Sequence, residues 1–576
     1  MIVKLAKTAG FCMGVRRAME MTLAESNKKD GPLFTYGPLI HNNQVLELLS
    51  LKGVKSINNL EGIHKGRIII RAHGIPPNER ESLKNSGLKL LDATCPKVAK
   101  VQSIVQSYTK KGYAAVIVGD KNHAETIGLT GHASGPVYVI NNIQDIRNLP
   151  ALNPVFVVAQ TTQDEQNFND IVGALKKRFP DILVFDTICD ATHQRQSEVR
   201  SFAGEVDALV VVGGYQSANT KRLAEISRNS NLPTFHVETE KDLDLNILSE
   251  MNTIGVTAGA STPNWMIKNV VSAIEGIRNR RKSSLFHLLI NTVKLLVMSN
   301  VLAAFGAFSF CCFASILSKN PNLAFPFITL LYIHAMHVFN RFFDKGASSY
   351  NDPERAVFLI KHKNVFVISG LAAITTAFAV SYCIGIASFI ALASLSFLGI
   401  SYSISFIPKK FRLKKQFSKI KDIPASRSLF ESLGWLAVIS LLPLINASTI
   451  DWPAVLTAGF IVFLLSFFRA AFFEILQAQG DLIAGVESLP ITLGEKNTIR
   501  VLKSIILALT IILLAAPAFG LVDRFSLLIL ISVYGLFFCL FAYEKQLLYP
   551  RITLEALVEL NFILSGAFGI IWLALT

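Results

Sequence analysis

Three cysteines in the first half of the chain could together hold a metal centre. Cys12, Cys95 and Cys189 are separated by 83 and 94 residues, so each could come from one of three similar modules. A structural zinc site usually has closely spaced cysteine pairs, whereas three thiolates from separate modules can hold an iron–sulfur cluster with one open iron. A lone cysteine after a strand is also commonly a small buried residue. The spacing alone leaves both interpretations open.

Strand-like runs in the same half end in polar sequences that begin helices. His73, Cys95, His123, Thr161 and Ser217 follow the runs in GRIIIRAHGIPP, KLLDATCPKV, AAVIVGDKNHAE, PVFVVAQTTQDE and ALVVVGGYQSANTKRL. Repeated strand, loop and helix units predict an α/β domain whose ligand lies at the carboxyl ends of the strands. Helix N-termini present free N–H groups and a positive dipole there. Several of them around one cavity would suit a diphosphate.

The composition excludes a disordered chain and an ordinary soluble enzyme. Of the 576 residues, 51% are hydrophobic and 17% are charged, whereas a soluble protein usually carries about a quarter charged residues. The net charge of +15 would favour nucleic acid. However, the basic residues of the second half lie between apolar runs and suit a membrane surface better. We therefore expect membrane lipid as a partner and no nucleic acid.

The two halves differ in pattern, which predicts a soluble domain at 1–282 and a membrane domain at 283–576. The basic run from Arg278 to Lys282 joins them, either against anionic lipid or as a solvated linker. Nine apolar segments follow, near 290–317, 322–340, 364–384, 387–407, 432–448, 454–474, 499–520, 525–543 and 555–575. Lysine and arginine concentrate in alternate loops. This pattern predicts nine transmembrane helices in the cytoplasmic (inner) membrane, with the N-terminal domain in the cytoplasm and the C-terminus outside.

Eight ordered motifs in residues 1–280 resemble the 4-hydroxy-3-methylbut-2-enyl diphosphate reductase (IspH or LytB) family. They are GFCMGVRRAME, GPLIHNNQV, RAHGIPP, DATCPKV, HAETIG, QTTQ, CDATHQRQ and GVTAGASTP. The resemblance implies a three-module, trefoil-like α/β fold around a 4Fe-4S cluster. It also implies reductive dehydroxylation of that diphosphate to isopentenyl and dimethylallyl diphosphate in the non-mevalonate isoprenoid pathway. Ferredoxin or flavodoxin would supply the electrons.

The same resemblance implies roles for individual residues. Cys12, Cys95 and Cys189 match the cluster ligands, and the open iron would act as a Lewis acid toward the substrate's hydroxyl group. Glu125 in HAETIG matches the proton donor. The substrate-binding positions fall on His41, His73, His123, Thr161, Ser217, Asn219 and Ser261. One departure is Ala218, because the family commonly has Ser-Ser-Asn where this chain has Ser-Ala-Asn, and this substitution puts affinity in doubt.

Two polar clusters lie at the cytoplasmic ends of apolar segments. The first contains Asn340 and Asp344, and the second contains Glu474 and Asp481. Polar residues in membrane spans are costly and therefore suggest function, and facing carboxylates could hold Mg²⁺ against a diphosphate. With the segment SYSISFIPKKFRLKK, residues 290–576 resemble the UbiA-type intramembrane prenyltransferases. That resemblance implies Mg²⁺-dependent transfer of a prenyl group.

The membrane clusters also depart from the family pattern. Arg341 and Ser348 replace acidic residues of the first motif, and Gln477 replaces one of the second. The sequence therefore predicts a bifunctional reductase and prenyltransferase, with the alternative that the membrane half is a non-catalytic anchor or lipid-binding module. A third interpretation, a membrane iron–sulfur redox sensor, is disfavoured because a sensor would not need the diphosphate-binding residues.

Overall fold

The computed structural model divides into two compact units, Met1–Lys282 and Ser283–Thr576. It describes residues 2–28, 30–279, 285–320, 322–343, 352–403, 426–484, 486, 488–545, 547 and 551–575.

The first unit contains three parallel sheets of four strands each. Their strand orders are β3-β2-β4-β5, β7-β6-β8-β9 and β1-β12-β10-β11. The twelve strands are β1 (Ile2–Leu5), β2 (Leu33–Tyr36), β3 (Val54–Ile57), β4 (Arg67–Ile70), β5 (Lys89–Asp92), β6 (Ala114–Val118), β7 (Val137–Ile140), β8 (Val155–Ala159), β9 (Leu183–Phe185), β10 (Ala208–Val212), β11 (Thr234–Val237) and β12 (Thr253–Ala258).

Helices connect the strands of each sheet, as parallel pairing requires. They are α1 (Met13–Asn27), α2 (Asn43–Leu51), α3 (Pro77–Asn85), α4 (Pro96–Lys110), α5 (Ala124–Gly131), α6 (Glu165–Arg178), α7 (Asp190–Ser201), α8 (Ala218–Asn229), α9 (Leu245–Ser249) and α10 (Asn264–Asn279), with 3-10 turns at Ile143–Asn148 and Glu240–Asp242. The inner strands β6, β8 and β10 are buried at every position. Their continuous apolar runs are typical of parallel strands covered on both faces.

Each sheet places one cysteine in an equivalent position. Cys12 follows β1, Cys95 follows β5 and Cys189 follows β9, and each of these strands lies at an edge of its sheet. Each cysteine is also the N-cap residue of the next helix, α1, α4 or α7 respectively. The three modules therefore present their cysteines at the carboxyl ends of strands, where parallel sheets commonly bind ligands.

The second unit is helical. Its helices are Leu285–Met298, Val301–Leu317, Ala324–Phe343, Pro353–Lys361, Lys363–Ile384, Ile386–Ser403, Ser426–Leu436, Trp452–Ala484, Leu489–Leu493, Glu495–Ala518, Ile529–Glu544 and Arg551–Leu575, with a π turn at Ala437–Leu441 and 3-10 turns at Leu442–Asn446 and Arg524–Leu528. Small residues allow close packing. A Cβ on Gly566 would collide with the backbone oxygen of Ser309 on the neighbouring helix.

Among the described residues, six helical segments are long and apolar enough to cross a membrane. They are Lys363–Ile384, Ser426–Asn446, Trp452–Ala478, Glu495–Ala518, Arg524–Glu544 and Ile552–Trp572. A seventh is possible if the bent pair Asn291–Met298 and Val301–Leu317, with an angle of 78° between its parts, forms one span. Asn300 lies at this break with a left-handed φ of 61°. The second unit therefore has the character of a multi-pass membrane domain.

Candidate functional site

The three cysteines line one cavity of the first unit. Cys12, Cys95 and Cys189 share it with the polar residues named from the sequence. The N-terminal turn of α1 approaches α4 so closely that a Cβ on Gly14 would lie 2.5 Å from the Cys95 Sγ atom. Burial raises the pKa of the Cys95 thiol, and the neighbouring Cys12 and Cys189 thiols raise it further. Three soft donors from separate modules therefore lie close enough to interact, which fits an iron–sulfur cluster.

Three histidines form a second group in the same cavity. The ring centroids of His41 and His73 are 4.7 Å apart, those of His41 and His123 are 5.6 Å apart, and those of His73 and His123 are 5.3 Å apart. Burial is the main cause that lowers the pKa of all three, well below the ordinary value for His73 and to about 4 for His123. The rings are therefore neutral at pH 7 and each offers one N–H donor.

Several buried nitrogen atoms of the cavity residues have no hydrogen-bond partner in the described part of the chain. They include His41 Nε2, His73 Nδ1 and Asn219 Nδ2. Leaving such groups unpaired costs about 1–3 kcal/mol each. One ligand with many acceptor oxygens would satisfy them together, and so would a metal ion for the histidines, whose nitrogen atoms all lie within 4.8 Å of one another.

Two helix N-termini contribute to the same cavity. His123 caps α5, and its Nδ1 accepts the Glu125 backbone N–H at 3.2 Å, so the other ring nitrogen carries the proton. Ser217 caps α8, and its hydroxyl accepts the Thr220 N–H at 3.4 Å. Ser261 donates to the His41 carbonyl at 3.2 Å. These contacts fix the cavity residues, and the helix dipoles favour an anion there.

Glu125 is held against Thr161 in this cavity. Its carboxylate accepts the Thr161 backbone N–H at 2.7 Å and the Thr161 hydroxyl at 2.9 Å. The residue is only 1% exposed, and this burial raises the pKa of the carboxyl to about 7 although the two hydrogen bonds oppose the shift. A carboxyl with a pKa near the working pH is suited to deliver and take up protons.

The polar residues of the membrane unit are engaged by internal partners. Asp481 is fully buried and lies 3.4 Å from Arg427, which also donates to Gln477 at 3.3 Å. Glu474 is buried and accepts the Leu489 backbone N–H at 2.7 Å. Both Glu474 and Asp481 lie on the long helix Trp452–Ala484. The Arg427 guanidinium therefore already neutralises part of the negative charge of Glu474 and Asp481.

The first acidic motif is only partly described. Asn340 is half-buried near the end of the helix Ala324–Phe343, whereas Asp344 and Ser348 lie outside the described residues. Arg341, which stands at an acidic position of the pattern, donates to Asn300 at 2.6 Å. Arg341 is therefore hydrogen-bonded to the residue at the break between the two bent helices.

The glutamates that pair with Arg469 and Arg355 in the membrane unit were not identified from the sequence. Arg469 forms ion pairs with Glu559 at 2.5 Å and with Glu431 at 2.6 Å. Arg355 pairs with Glu555 at 2.9 Å. Glu555 and Glu559 are one helical turn apart on Arg551–Leu575, and a pattern of acidic residues at this spacing in an apolar helix could have revealed them.

Comparisons with known proteins agree with the geometry of the first unit. A model of the LytB protein family matches residues 3–275. The 4-hydroxy-3-methylbut-2-enyl diphosphate reductase of Geobacter sulfurreducens is 44% identical over 282 residues, which cover 49% of this chain and 100% of that relative. The reductase of Geotalea daltonii is 45% identical over 277 residues, covering 48% of this chain and 98% of that relative. The chain belongs to the LytB family.

The remaining part of this LytB chain matches a second family. The model of the UbiA prenyltransferase family covers residues 295–563. The chain is therefore a fusion of a LytB domain and a UbiA domain, which confirms the main sequence prediction and does not support a membrane half that serves as an anchor alone.

Solved structures resemble each domain. A reductase from Plasmodium falciparum is 35% identical, covers 47% of this chain and 87% of its own, and has a TM-score of 0.46. A UbiA homologue from Archaeoglobus fulgidus, solved with GPP and Mg²⁺, is 14% identical, covers 49% of this chain and 99% of its own, and has a TM-score of 0.36.

The LytB cavity also contains residues that the sequence analysis did not single out. Arg195, Lys97 and Thr192 line it. Lys97 forms an ion pair with Asp190 at 2.6 Å, which links the first turns of α4 and α7. Arg195 follows Cys189 by six residues within CDATHQRQ, and its place after a cysteine was the only signal in the sequence.

Proposed function

We propose that the LytB domain reduces 4-hydroxy-3-methylbut-2-enyl diphosphate to isopentenyl and dimethylallyl diphosphate. The observation that carries this proposal is one cavity lined by three cysteines, three neutral histidines and a buried glutamate with a pKa near 7. The reaction consumes two electrons and two protons and releases water. The cavity has separate groups for a redox centre, for the diphosphate and for a proton.

Cys12, Cys95 and Cys189 would hold a 4Fe-4S cluster. When bound, it would supply single-electron transfer and an open Lewis-acid position. The chain's own contribution is placement, because each cysteine is the N-cap residue at the start of a helix. Ferredoxin or flavodoxin is the electron donor that we propose, since such a centre accepts one electron at a time.

Glu125 would donate the proton that lets the hydroxyl group leave as water. Its carboxyl is neutral over much of the range below pH 7, and the Thr161 N–H and hydroxyl fix its orientation. Thr161 would therefore position Glu125, and it also lines the cavity as one of the predicted substrate-binding residues.

The diphosphate would bind at His41, His73, His123, Ser217, Asn219 and Ser261. The unpaired donors of His41, His73 and Asn219 support this assignment, because diphosphate oxygens accept several hydrogen bonds at once. Ala218 begins α8, so its backbone N–H lies at the same helix N-terminus even though a side-chain hydroxyl is missing.

Asn219→Ala is expected to weaken substrate binding about 10- to 100-fold, because a hydrogen bond to a charged group contributes about 1.5–3 kcal/mol. The dissociation constant of the diphosphate should be measured by isothermal titration with the cluster-loaded protein. Asn167→Ala is the matched control, since the Asn167 amide donates to the Asn141 carbonyl and lies outside the cavity. Equal affinity in wild type and Asn219→Ala would remove Asn219 from the diphosphate site.

A complementation experiment tests the reductase activity in cells. A bacterial strain whose own reductase can be switched off should grow when it carries the full chain and should not grow when it carries Cys95→Ser. Growth with neither chain, despite normal expression, would argue against the activity.

The UbiA domain would transfer a prenyl group with Mg²⁺ at Asn340, Asp344, Glu474 and Asp481. The burial of Glu474 and Asp481 on one helix supports this site, and their contacts with Leu489 and Arg427 show what a metal ion would displace. We also propose nine spans in the cytoplasmic membrane, the LytB domain in the cytoplasm and the C-terminus outside. The support is the concentration of basic residues in alternate loops.

Asp481→Asn is expected to abolish Mg²⁺-dependent prenyl transfer by the full chain in membranes, because an amide is a weaker ligand for a hard cation than a carboxylate. Radiolabelled prenyl diphosphates of several lengths should be supplied with lipid extract as acceptor, with and without EDTA. Asp451→Asn is the control, since Asp451 is paired with Lys319 away from this site. Prenyl transfer that persists in Asp481→Asn or in EDTA would contradict the proposed metal site.

A further inference from the structure

Arg195 is a buried cation beside the three cysteines. The residue is only 5% exposed and lines the same cavity as Cys12, Cys95 and Cys189. Its Nε atom has no hydrogen-bond partner among the described residues. None of the ion pairs found in the described part of the chain involves Arg195. Its charge therefore has no carboxylate counter-charge within ion-pair distance.

Such an arrangement is unfavourable unless a negative charge joins it. A buried unpaired charge costs several kcal/mol, and a guanidinium group cannot escape this cost by losing its proton. Burial lowers the pKa of Arg195, while the nearby Cys12 and Cys189 thiols and the Glu198 carboxylate act in the opposite direction. Glu198 accepts hydrogen bonds from the Lys7 and Thr8 backbone N–H groups and from the Thr8 hydroxyl, and it does not line the cavity. Within the cavity, the negative charge that Arg195 faces is therefore that of the thiolates and of whatever they hold.

One of the two hydrogen bonds of Arg195 reaches a second cysteine-bearing segment. One amino group donates to the Ala191 carbonyl at 2.9 Å, and the other donates to the Gly10 carbonyl at 2.7 Å. Ala191 lies two residues after Cys189, and Gly10 lies two residues before Cys12. Arg195 is consequently fixed between two cysteine-bearing segments, and its Nε has no partner among the described residues.

We propose that Arg195 is the resident counter-cation of the thiolate-held cluster and raises its reduction potential. The inference rests on the cluster proposed above. Reduction adds one electron from an external donor and leaves one more negative charge in the cavity, while Arg195 keeps all its protons. A fixed positive charge in a poorly solvated cavity stabilises the more negative reduced form more than the oxidised form. Arg195 is a positioning residue in this role, since it acts through the cluster.

A potentiometric titration of the anaerobically purified full chain tests the proposal. The reduced cluster is followed by electron paramagnetic resonance while dithionite sets the potential. In Arg195→Gln we expect full iron content and at least a tenfold smaller equilibrium constant for one-electron reduction, which is a shift of about 59 mV to more negative potential. Arg195→Lys keeps the charge and should shift the potential much less.

Arg200→Gln is the matched control. Arg200 lies on the same helix α7, but its side chain is 38% exposed and paired with Asp164 at 3.1 Å. Its removal should leave the potential unchanged. An Arg195→Gln protein with full iron and the wild-type potential would overturn the proposal. Equal shifts of the potential in Arg195→Gln and Arg200→Gln would also overturn it.

The measurements distinguish a failure of this proposal from the absence of the cluster on which it rests. A wild-type chain without a cluster would contradict the proposed function itself, before any variant is compared. If Arg195→Gln fails to hold a cluster, Arg195→Lys decides. Loading of the Lys variant supports a requirement for positive charge, whereas an empty Lys variant indicates that only the contacts with Gly10 and Ala191 matter and overturns the proposal.

Discussion

Replacing Cys12, Cys95 or Cys189 by serine is expected to remove the iron–sulfur cluster and all reductase activity. A serine hydroxyl is a hard, weakly acidic ligand and does not replace a soft thiolate on iron. The three thiols lie at equivalent helix starts of three modules, so each removal should have a similar effect. Iron and sulfide content and the visible absorbance of anaerobically purified protein measure the outcome.

Cys383→Ser is the control for this series. Cys383 is an exposed free cysteine of the membrane unit and should not affect iron content. Full iron in any one of the three LytB variants would exclude that cysteine as a ligand. Full iron in all three would contradict the proposed centre.

Glu125→Gln is expected to lower turnover by about 10²- to 10⁴-fold, the usual contribution of a general acid. Glutamine has nearly the same shape and can still contact Thr161, but it cannot deliver a proton. The cluster content should equal that of wild type, because Glu125 does not contact the cysteines through any hydrogen bond found among the described residues. A loss below tenfold would contradict the assigned role.

The pH dependence of the wild-type enzyme provides a second test of Glu125. Its pKa is raised to about 7, so the proton-carrying form is complete well below pH 7 and disappears as the pH rises through that value. We expect kcat/KM to fall above pH 7, since this ratio reports the free enzyme. In Glu125→Gln this decline should be absent from the residual activity.

The raised pKa of Glu125 also makes the free energy of unfolding depend on pH. The folded pKa exceeds the value of 4.5 for an unperturbed carboxyl, so the stabilisation by neutral Glu125 is complete below pH 4.5 and is lost as the pH rises through about 7. The difference corresponds to about 3 kcal/mol at high pH. The free energy of unfolding of wild type relative to Glu125→Gln should therefore decrease between pH 5 and 8.

The positions of the proposed site residues in the fold could largely be predicted because they follow strands. Cys12, Cys95 and Cys189 each follow a strand of one module, and the carboxyl ends of parallel strands are where ligands bind. The close approach of the cysteines depends instead on tertiary packing between modules, to which Gly14 contributes by having no side chain. No local pattern reveals that contact.

Arg195 shows a second limit of sequence reasoning. An arginine on a polar helix is ordinarily a solvated residue, and most residues of α7 are polar. In the fold Arg195 is buried, and it donates to the carbonyl of Gly10 in a distant segment of the chain. Burial of a charge is a property of the assembled modules, so the sequence could not indicate it.

The helices of the membrane unit can be predicted from hydropathy, but the ion pairs between them cannot. Apolar length identifies helices such as Lys363–Ile384 directly, because a span needs about 20 apolar residues. The pairing of Arg469 with Glu431 and Glu559 joins three helices that are far apart in the sequence. Those contacts depend on helix arrangement, which hydropathy does not encode.

The most direct test of the proposed reductase is product analysis with the full chain. Protein purified without oxygen and loaded with iron and sulfide is incubated with 4-hydroxy-3-methylbut-2-enyl diphosphate and reduced ferredoxin, and the C5 products are separated by chromatography. We predict isopentenyl and dimethylallyl diphosphate in wild type and neither product in Cys95→Ser. Unchanged substrate in a wild-type sample that contains an intact reducible cluster would contradict the proposed activity.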